Sequence, residues 1–240
     1  MSTNALSASR ITRRTLLIAL SVVVVLLATV LIGGELYARH AVASCISTQF
    51  EKEMGSEVDV SFGAKPMLVT WMDGKLSSVR VDADDANFGR AVGMSVHAVL
   101  HDVDVADQNG GVIGSSSADV TWSNEGIQQT LGGMVSRVSS SPSSGVLTLT
   151  VLGGFGQLEL KPQIQDGTVQ METTSAQLFG IGIPSDLVQS ILDTFTEKLQ
   201  SYPLGLAATH VEVTDSGIAV ELAGGRTQLE PADGSSGMQC

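Results

Sequence analysis

Near its start the chain carries an apolar run, Leu16–Ile32, in which no residue is charged and only Ser21 and Thr29 are polar. A helix of roughly 17–25 apolar residues can cross a bilayer because its backbone groups bond to one another and need no water. Three arginines stand within the first 14 residues, and positive charge is retained on the cytoplasmic side. The pattern therefore predicts a cytoplasmic tail over 1–14, a transmembrane signal anchor over 15–34 and an extracytoplasmic remainder attached to the cell membrane.

Two alternatives to an uncleaved anchor stay open at this point. A cleaved signal peptide also has a basic start, but its apolar segment usually spans about 7–15 residues and ends at a small-residue cleavage site. Val42–Cys45 is similar to a lipoprotein cleavage box that would lipidate Cys45, although Glu35 and Arg39 separate it from the apolar run. An uncleaved anchor is favoured.

Beyond the anchor the spacing changes from helical to strand-like. Apolar residues recur at helical spacing from Leu36 to Gly55, so the membrane helix continues into the next segment. Strict alternation of apolar and polar residues then occurs at Val58–Phe62, Val79–Asp82 and Val103–Val105. This period of two is typical of an antiparallel sheet with one face exposed.

The second half of the chain predicts further helices and hairpins. We expect a helix from Ser123 to about Val138, a loop over Ser139–Gly145 and an amphipathic helix over Ser185–Gln200. Further strands are predicted at Val146–Leu152, Gln157–Lys161, Thr168–Thr173, Thr209–Thr214 and Ile218–Leu222.

This order defines the fold class. Hairpins and not single helices connect the strands, which favours α+β with helices on a strongly curved antiparallel sheet over a doubly wound fold. The segment Pro66–Gly74 is predicted as either a short helix or an irregular apolar stretch. The domain is expected over 35–225, followed by a C-terminal tail over 226–240.

Composition narrows the function. The chain has 240 residues and a net charge of −12, so its surface repels nucleic acid and does not dock flat on anionic lipid by charge. Aromatic residues make up 4% of the chain, which is low for a groove that binds sugars or peptides.

The chain contains two cysteines, Cys45 and Cys240. Outside the cytoplasm an even count favours a disulfide, which here joins the start of the domain to the last residue. The alternative is a pair of unbonded thiols.

No catalytic, cofactor or metal motif is found in the sequence. His97 and His101 are four residues apart in a predicted strand, where their side chains lie about 13 Å apart, too far for one metal ion. The run Asp82–Asp85 lacks the spacing of a calcium loop and is interpreted as a solvated acidic turn. The sequence thus predicts no enzyme, no metal site and no cofactor.

Apolar residues next to glycines indicate ligand binding and not catalysis. Phe155, Leu178, Phe179, Ile181 and Ile183 flank a series of glycines, and backbone without side chains leaves space that a ligand fills. The alternative is that these residues make ordinary core contacts.

In combination, several segments resemble the LmeA-like family of actinobacterial phospholipid-binding proteins. They are Val58–Gly63, Gly74–Asp84, Gly182–Pro184 and Val211–Leu222, and the resemblance covers Leu36 to Leu222. Members of that family resemble half of a bactericidal/permeability-increasing protein. The resemblance implies a tubular lipid-binding fold in which a curved sheet wraps a long helix and acyl chains lie between them.

Periodicity and resemblance together predict the ligand and its lining. We expect a membrane-anchored protein that binds phospholipid acyl chains in a hydrophobic cavity and serves envelope lipid or lipoglycan maintenance or transport. The predicted lining residues are Phe155, Leu178, Phe179, Ile181, Leu187, Ile191 and Phe195. Two alternatives are a surface scaffold of the same fold, whose interior is filled, and a hydrolase of envelope lipids.

Overall fold

The structure is a computed structural model that describes residues 13–54, 57–88, 91–104, 111–178, 184–199 and 202–228. Contacts between residues divide the chain into two units, Met1–Ala41 and Val42–Cys240. The first unit contains most of one long helix. The second contains all of the sheet structure and the remaining helices.

The long helix is α1 (Arg13–Met54), which continues without a break to the residue before Gly55, as the helical spacing predicts. Its stretch Leu17–Ser44 is long and apolar enough to cross a membrane, and none of it is buried within the protein. Within this stretch Arg39 Nε donates to Glu35 Oε1 over 2.7 Å, one helical turn away. A membrane anchor and a signal sequence share these properties.

The second unit is built mainly from antiparallel strands. Its helices are α2 (Met67–Asp73), α3 (Asn124–Leu131) and α4 (Ser185–Leu199). Its strands in chain order are β1 (Val58–Phe62), β2 (Lys75–Phe88), β3 (Ala91–Asp104), β4 (Val112–Ile113), β5 (Ser115–Ser123), β6 (Val135–Ser141), β7 (Val146–Val151), β8 (Gly156–Gln165), β9 (Thr168–Leu178), β10 (Ala207–Thr214), β11 (Gly217–Gly224) and β12 (Thr227–Gln228).

The strands form two sheets. The first has the order β1-β2-β3-β5-β11-β10, with β4 pairing to β3 and to β12, and the second has the order β6-β7-β8-β9. Every described strand pair is antiparallel. The chain is therefore an N-terminal apolar helix followed by mainly antiparallel sheet with few helices. Strand β12, which follows residue 225, pairs with β4.

The register of the first sheet explains its alternating sequence. Residues directly opposite one another on neighbouring strands share a face of the sheet. One row across six strands is wholly apolar: Val60, Val81, Ala98, Ala118, Leu222 and Ala208. The adjacent row carries only acidic residues and histidines: Asp59, Asp82, His97, Asp119, Glu221 and His210. The sheet thus has one apolar and one polar face.

The predicted helix from Ser123 to about Val138 is wrong beyond Leu131. Two glycines follow Leu131, and the first of them has φ 56°, ψ −140°, which ends the helix. Val135 and Val138 lie in β6 and not on a helix face. A bulge between Val135 and Arg137 puts both valines on the buried side of the strand, so their spacing of three mimics a helix.

The predicted loop over Ser139–Gly145 is also shorter than expected. Ser139–Ser141 are paired with β7, and the turn is confined to residues 142–145. The uncertain segment Pro66–Gly74 contains the helix α2, which ends at Gly74 with φ 65°. Here the left-handed conformation required at the helix end explains the glycine.

The main core lies between the two sheets and the helices α3 and α4, and a smaller buried cluster of Val58, Val60 and Ala83 lies where β1 pairs with β2. The largest fully buried side chains of the main core include Trp122 of β5 and Phe195 of α4, whose rings meet edge to face with centroids 5.6 Å apart. The two sheets are joined where Ala208 N of β10 donates to Gly167 O over 2.7 Å. This core fixes the position of the apolar face of the first sheet.

Helix α3 is seated directly on the backbone of β3. Ser123 Oγ caps the helix by accepting from Gly126 N over 3.0 Å. A Cβ atom at Gly126 would lie 2.3 Å from Val92 O, an oxygen that also accepts from Trp122 Nε1. The close approach of helix and strand therefore requires glycine at this position.

We expect Gly126→Ala to lower the free energy of unfolding by about 1–3 kcal/mol, because the added methyl group pushes α3 off β3. Urea unfolding of the full chain in detergent, followed by circular dichroism, measures the change. Gly133→Ala is the matched control, since nothing lies within 4 Å of its Cβ position. Equal stability of the two variants would contradict the packing argument.

Candidate functional site

A cavity of about 210 Å³ lies between the apolar face of the first sheet and the segment Tyr202–Leu206, which precedes β10. Its lining is contributed by β3, β5, β11 and that segment: Ala91, Met94, Val96, Ala98, Leu100, Ser117, Ala118, Val120, Tyr202, Pro203, Leu204, Leu206, Val220 and Leu222. Among the residues that the structure describes, no charged side chain lines the cavity.

The strand side of the cavity follows from the pleat of β3. Met94, Val96, Ala98 and Leu100 are spaced two apart and lie on the same side of the strand. Their register partners on β5 and β11 continue the same face. Ala98 is paired with Ala118, and two methyl side chains at adjacent positions leave room above the sheet that larger residues would fill.

The opposite wall is a tight turn at Pro203–Gly205. Leu204 has φ 60° and Gly205 has φ 66°, so a side chain that lines the cavity is carried on left-handed backbone. A Cβ atom at Gly205 would lie 2.7 Å from Thr227 Oγ1, which places β12 directly behind the turn. Non-glycine residues in this conformation are strained, and such strain clusters at ligand-binding sites.

Tyr202 fixes the start of this wall to the second sheet. Its hydroxyl oxygen accepts from Val169 N over 3.4 Å, and its ring packs against the core. Burial raises the pKa of the Tyr202 hydroxyl, and this effect outweighs the opposing hydrogen bond from Val169. The hydroxyl is therefore neutral at physiological pH, which keeps the cavity free of charge.

An uncharged cavity of this kind favours hydrocarbon. Burying apolar groups in it is favourable, whereas burying an unpaired charge there would carry a large desolvation cost. Its volume is below the roughly 300–1,000 Å³ of pockets that enclose drug-sized ligands. The cavity thus accommodates a section of a long apolar molecule and not the whole of it.

The residues predicted to line a lipid site are distributed over three places. Ile191 and Phe195 of α4 are buried in the core, and Leu187 is partly buried against it. Phe155 lies in the turn between β7 and β8 and is 64% exposed. Leu178 is the last residue of β9.

None of the described predicted residues borders the cavity itself, although Trp122, which contacts Phe195, stands opposite Met94 of the lining. Phe179 and Ile181 lie outside the described residues. Cys240 also lies outside them, so the disulfide with Cys45 of α1 stays a prediction. The sequence signal for the observed lining was the alternation from Met94 to Leu100, which marks a strand but not what its apolar side faces.

A second cleft, of about 620 Å³, has a different character. It is lined by charged side chains of both signs, among them Lys65, Lys75, Asp102, Asp104 and Arg226. Lys75 Nζ is 3.5 Å from Asp104 Oδ2, so opposite charges within the cleft are partly paired.

At the edge of this cleft, Lys65 Nζ lies 2.7 Å from Asp73 Oδ2. Hydrogen bonds from Lys65 and from the backbone of Lys75 lower the pKa of the Asp73 carboxyl. These groups tie the end of α2 to the start of β2.

The histidines and the acidic run belong to the exposed face of the first sheet. His97 Nδ1 is 2.9 Å from Asp82 Oδ1, and both side chains are more than one-third exposed. Asp82–Asp85 form part of β2 and not a separate turn. Within the ranges that the structure describes, no group of three or more His, Cys, Asp or Glu side chains is arranged to hold a metal ion.

Comparison with known proteins places this geometry in a family context. A family model described as LmeA-like phospholipid-binding matches residues 29–223. Uncharacterized proteins of Mycobacterium bovis and Mycobacterium tuberculosis are each 30% identical to the chain over 216 residues. The match covers 85% of this chain and 62% of each relative, so the chain spans less than two thirds of their length. No solved structure matches the chain.

Proposed function

The chain belongs to the LmeA-like phospholipid-binding family, and from this membership we propose that it binds phospholipid by taking part of an acyl chain into the apolar cavity. The observation that carries the proposal is the cavity itself, whose described lining residues are all uncharged. The family is one of lipid binders and not of enzymes, so we assign the cavity a binding role and no catalytic step.

The free energy of binding comes from removing methylene groups from water, at about 0.8 kcal/mol for each group buried. A charged head group gains nothing in such a cavity and stays at its mouth or outside it. The small volume of about 210 Å³ implies that the rest of the lipid requires additional space.

We propose that α4 supplies this space by moving away from the second sheet when lipid enters. Its main contact among the strands is β9, at the edge of the second sheet. Leu187, Ile191 and Phe195 would then face the acyl chain, together with Leu178, Phe179 and Ile181, whereas Phe155 stays exposed on the turn between β7 and β8. The curved, tubular arrangement that the family resemblance implies corresponds to this opened state.

We further propose that α1 anchors the protein in the cell membrane with the sheet domain outside the cytoplasm. The apolar stretch Leu17–Ser44 and the arginines that precede it support this orientation. The protein would then maintain or transport lipid or lipoglycan of the cell envelope. Phospholipid and the membrane are its expected partners, and its acidic surface disfavours nucleic acid.

The test is photo-crosslinking of the full chain in detergent with a phosphatidylglycerol that carries a diazirine near the end of one acyl chain. We expect saturable crosslinks to peptides of β3, β5, β11 and Tyr202–Leu206. Excess unlabelled phosphatidylglycerol is expected to suppress them, because a cavity holds a limited number of chains. Peptide mapping by mass spectrometry locates the crosslinks.

Crosslinks to α1 serve as the internal control, since a membrane-spanning helix contacts lipid without a specific site. Crosslinks confined to Leu17–Ser44, or crosslinks to the sheet that excess lipid does not suppress, would contradict uptake into the cavity. Additional suppressible crosslinks to α4 peptides would support its movement.

A further inference from the structure

The two ends of the second sheet differ in charge and in the apolar side chains that they expose. The first residue of β6 pairs with the last of β7, Val151 pairs with Gly156 of β8, and Gly156 pairs with Leu178 of β9. Four strand ends therefore lie side by side at this end. The opposite end carries the turns 142–145 and 166–167.

The chain segments at this end carry no charge. Among the described residues, no Asp, Glu, Lys or Arg occurs at positions 126–136, 138–158 or 173–178. The turn at the opposite end of β8 and β9 contains Asp166, and the turn between β6 and β7 is rich in serine. In a chain of net charge −12, an uncharged end of a sheet is a distinct surface.

Two large apolar side chains are exposed at this uncharged end. Leu152 is 41% exposed and Phe155 is 64% exposed, and both lie in the turn Leu152–Phe155 between β7 and β8, here called the apolar tip. Nothing lies within 4 Å of the Cβ positions of Gly153 and Gly154, so these two glycines of the apolar tip border open space.

The backbone of the apolar tip is strained for its sequence. Leu152 has φ 54°, a left-handed conformation that is unfavourable for a leucine. The Leu152 side chain nevertheless remains 41% exposed. Backbone strain clusters at functional sites, and exposed apolar patches mark interaction surfaces.

We propose that the apolar tip inserts into the interfacial region of a phospholipid bilayer. The net charge of the chain repels anionic lipid head groups, so attachment through this domain must rely on apolar insertion and not on charge attraction. The absence of charged residues at this end avoids the cost of desolvating them on insertion. Leucine and phenylalanine on a turn that contains two glycines fit the boundary between head groups and acyl chains.

This proposal concerns attachment to a membrane surface and does not require lipid in the cavity. Its test is quenching of tryptophan fluorescence by phosphatidylcholine brominated on its acyl chains. The full chain carrying Phe155→Trp is held in nanodiscs through α1, and brominated lipid is placed either in the nanodisc or in added vesicles. We expect brominated lipid in one of these bilayers to quench the added indole and the bilayer to shift its emission to shorter wavelength.

The matched control is Ser143→Trp, which places an indole on an exposed turn at the opposite end of the same sheet. The unmodified chain, with its two tryptophans, reports any quenching by lipid inside the cavity. Extra quenching for Phe155→Trp and none for Ser143→Trp supports the proposal. Equal quenching of both variants, or none from either bilayer, overturns it, whether or not the cavity binds lipid.

Discussion

Ala98→Phe is expected to weaken phospholipid binding roughly fifty-fold, because its ring occupies the space above the paired alanines of β3 and β5. If the ring displaces about three methylene groups, at about 0.8 kcal/mol for each group, the loss is about 2.4 kcal/mol. Half-saturation of the acyl-chain crosslinks at cavity peptides measures the affinity. The apolar ring remains on the buried side of the sheet, so the variant is expected to fold.

Val99→Phe is the matched control for this variant. Val99 follows Ala98 in β3, and its side chain lies on the other side of the strand, the side of His97 and His101. We expect its lipid affinity to stay within about twofold of the parent. If both variants bind lipid as the parent does, the acyl chain does not occupy the cavity.

Trp122→Ala is expected to lower the free energy of unfolding by about 3–5 kcal/mol, the cost of a large cavity in a well-packed core. The side chain is 1% exposed and sits between the first sheet and α4, where it meets Phe195. Its Nε1 donates to Val92 O over 3.0 Å, so truncation also leaves that oxygen without its indole partner. Urea unfolding of the full chain in detergent measures the difference.

Two neighbouring variants separate the contributions to this loss. Trp122→Phe keeps most of the ring contacts and removes the hydrogen bond to Val92, for which we expect about 1 kcal/mol plus the cost of the smaller ring. Thr121→Ala changes an exposed residue next in the strand and is expected to cost less than about 0.5 kcal/mol. A loss below 1 kcal/mol for Trp122→Ala would show that the core does not depend on this residue.

Local patterns predicted most elements because each has a chemical cause within a few residues. Alternation at Val58–Phe62 matches β1, and the apolar stripe after Pro184 matches α4. The failure at Val135 and Val138 has an equally specific cause. A bulge gives a strand the spacing of a helix face, and only the pairing with β7 distinguishes the two.

The candidate site was harder to predict from the sequence than the fold class. The apolar residues predicted from neighbouring glycines, such as Phe155, lie in surface turns or in the core. The cavity is lined instead by small and medium residues of central strands. Ala98 and Ala118 are 20 residues apart in sequence and are brought together only by the β3–β5 register. No local pattern encodes which alanines will be neighbours.

The sequence by itself determined the apolar helix, the antiparallel strands and the apolar and polar faces of those strands. Each of these features depends on the spacing of apolar and charged residues within a short segment of the chain. Tertiary structure alone decided that two alanines meet beneath a strained turn at Leu204 and leave a cavity there. The physical reason is that an empty volume depends on the summed shapes of side chains from distant segments. That sum exists only once strand register and the packing of the second sheet are set.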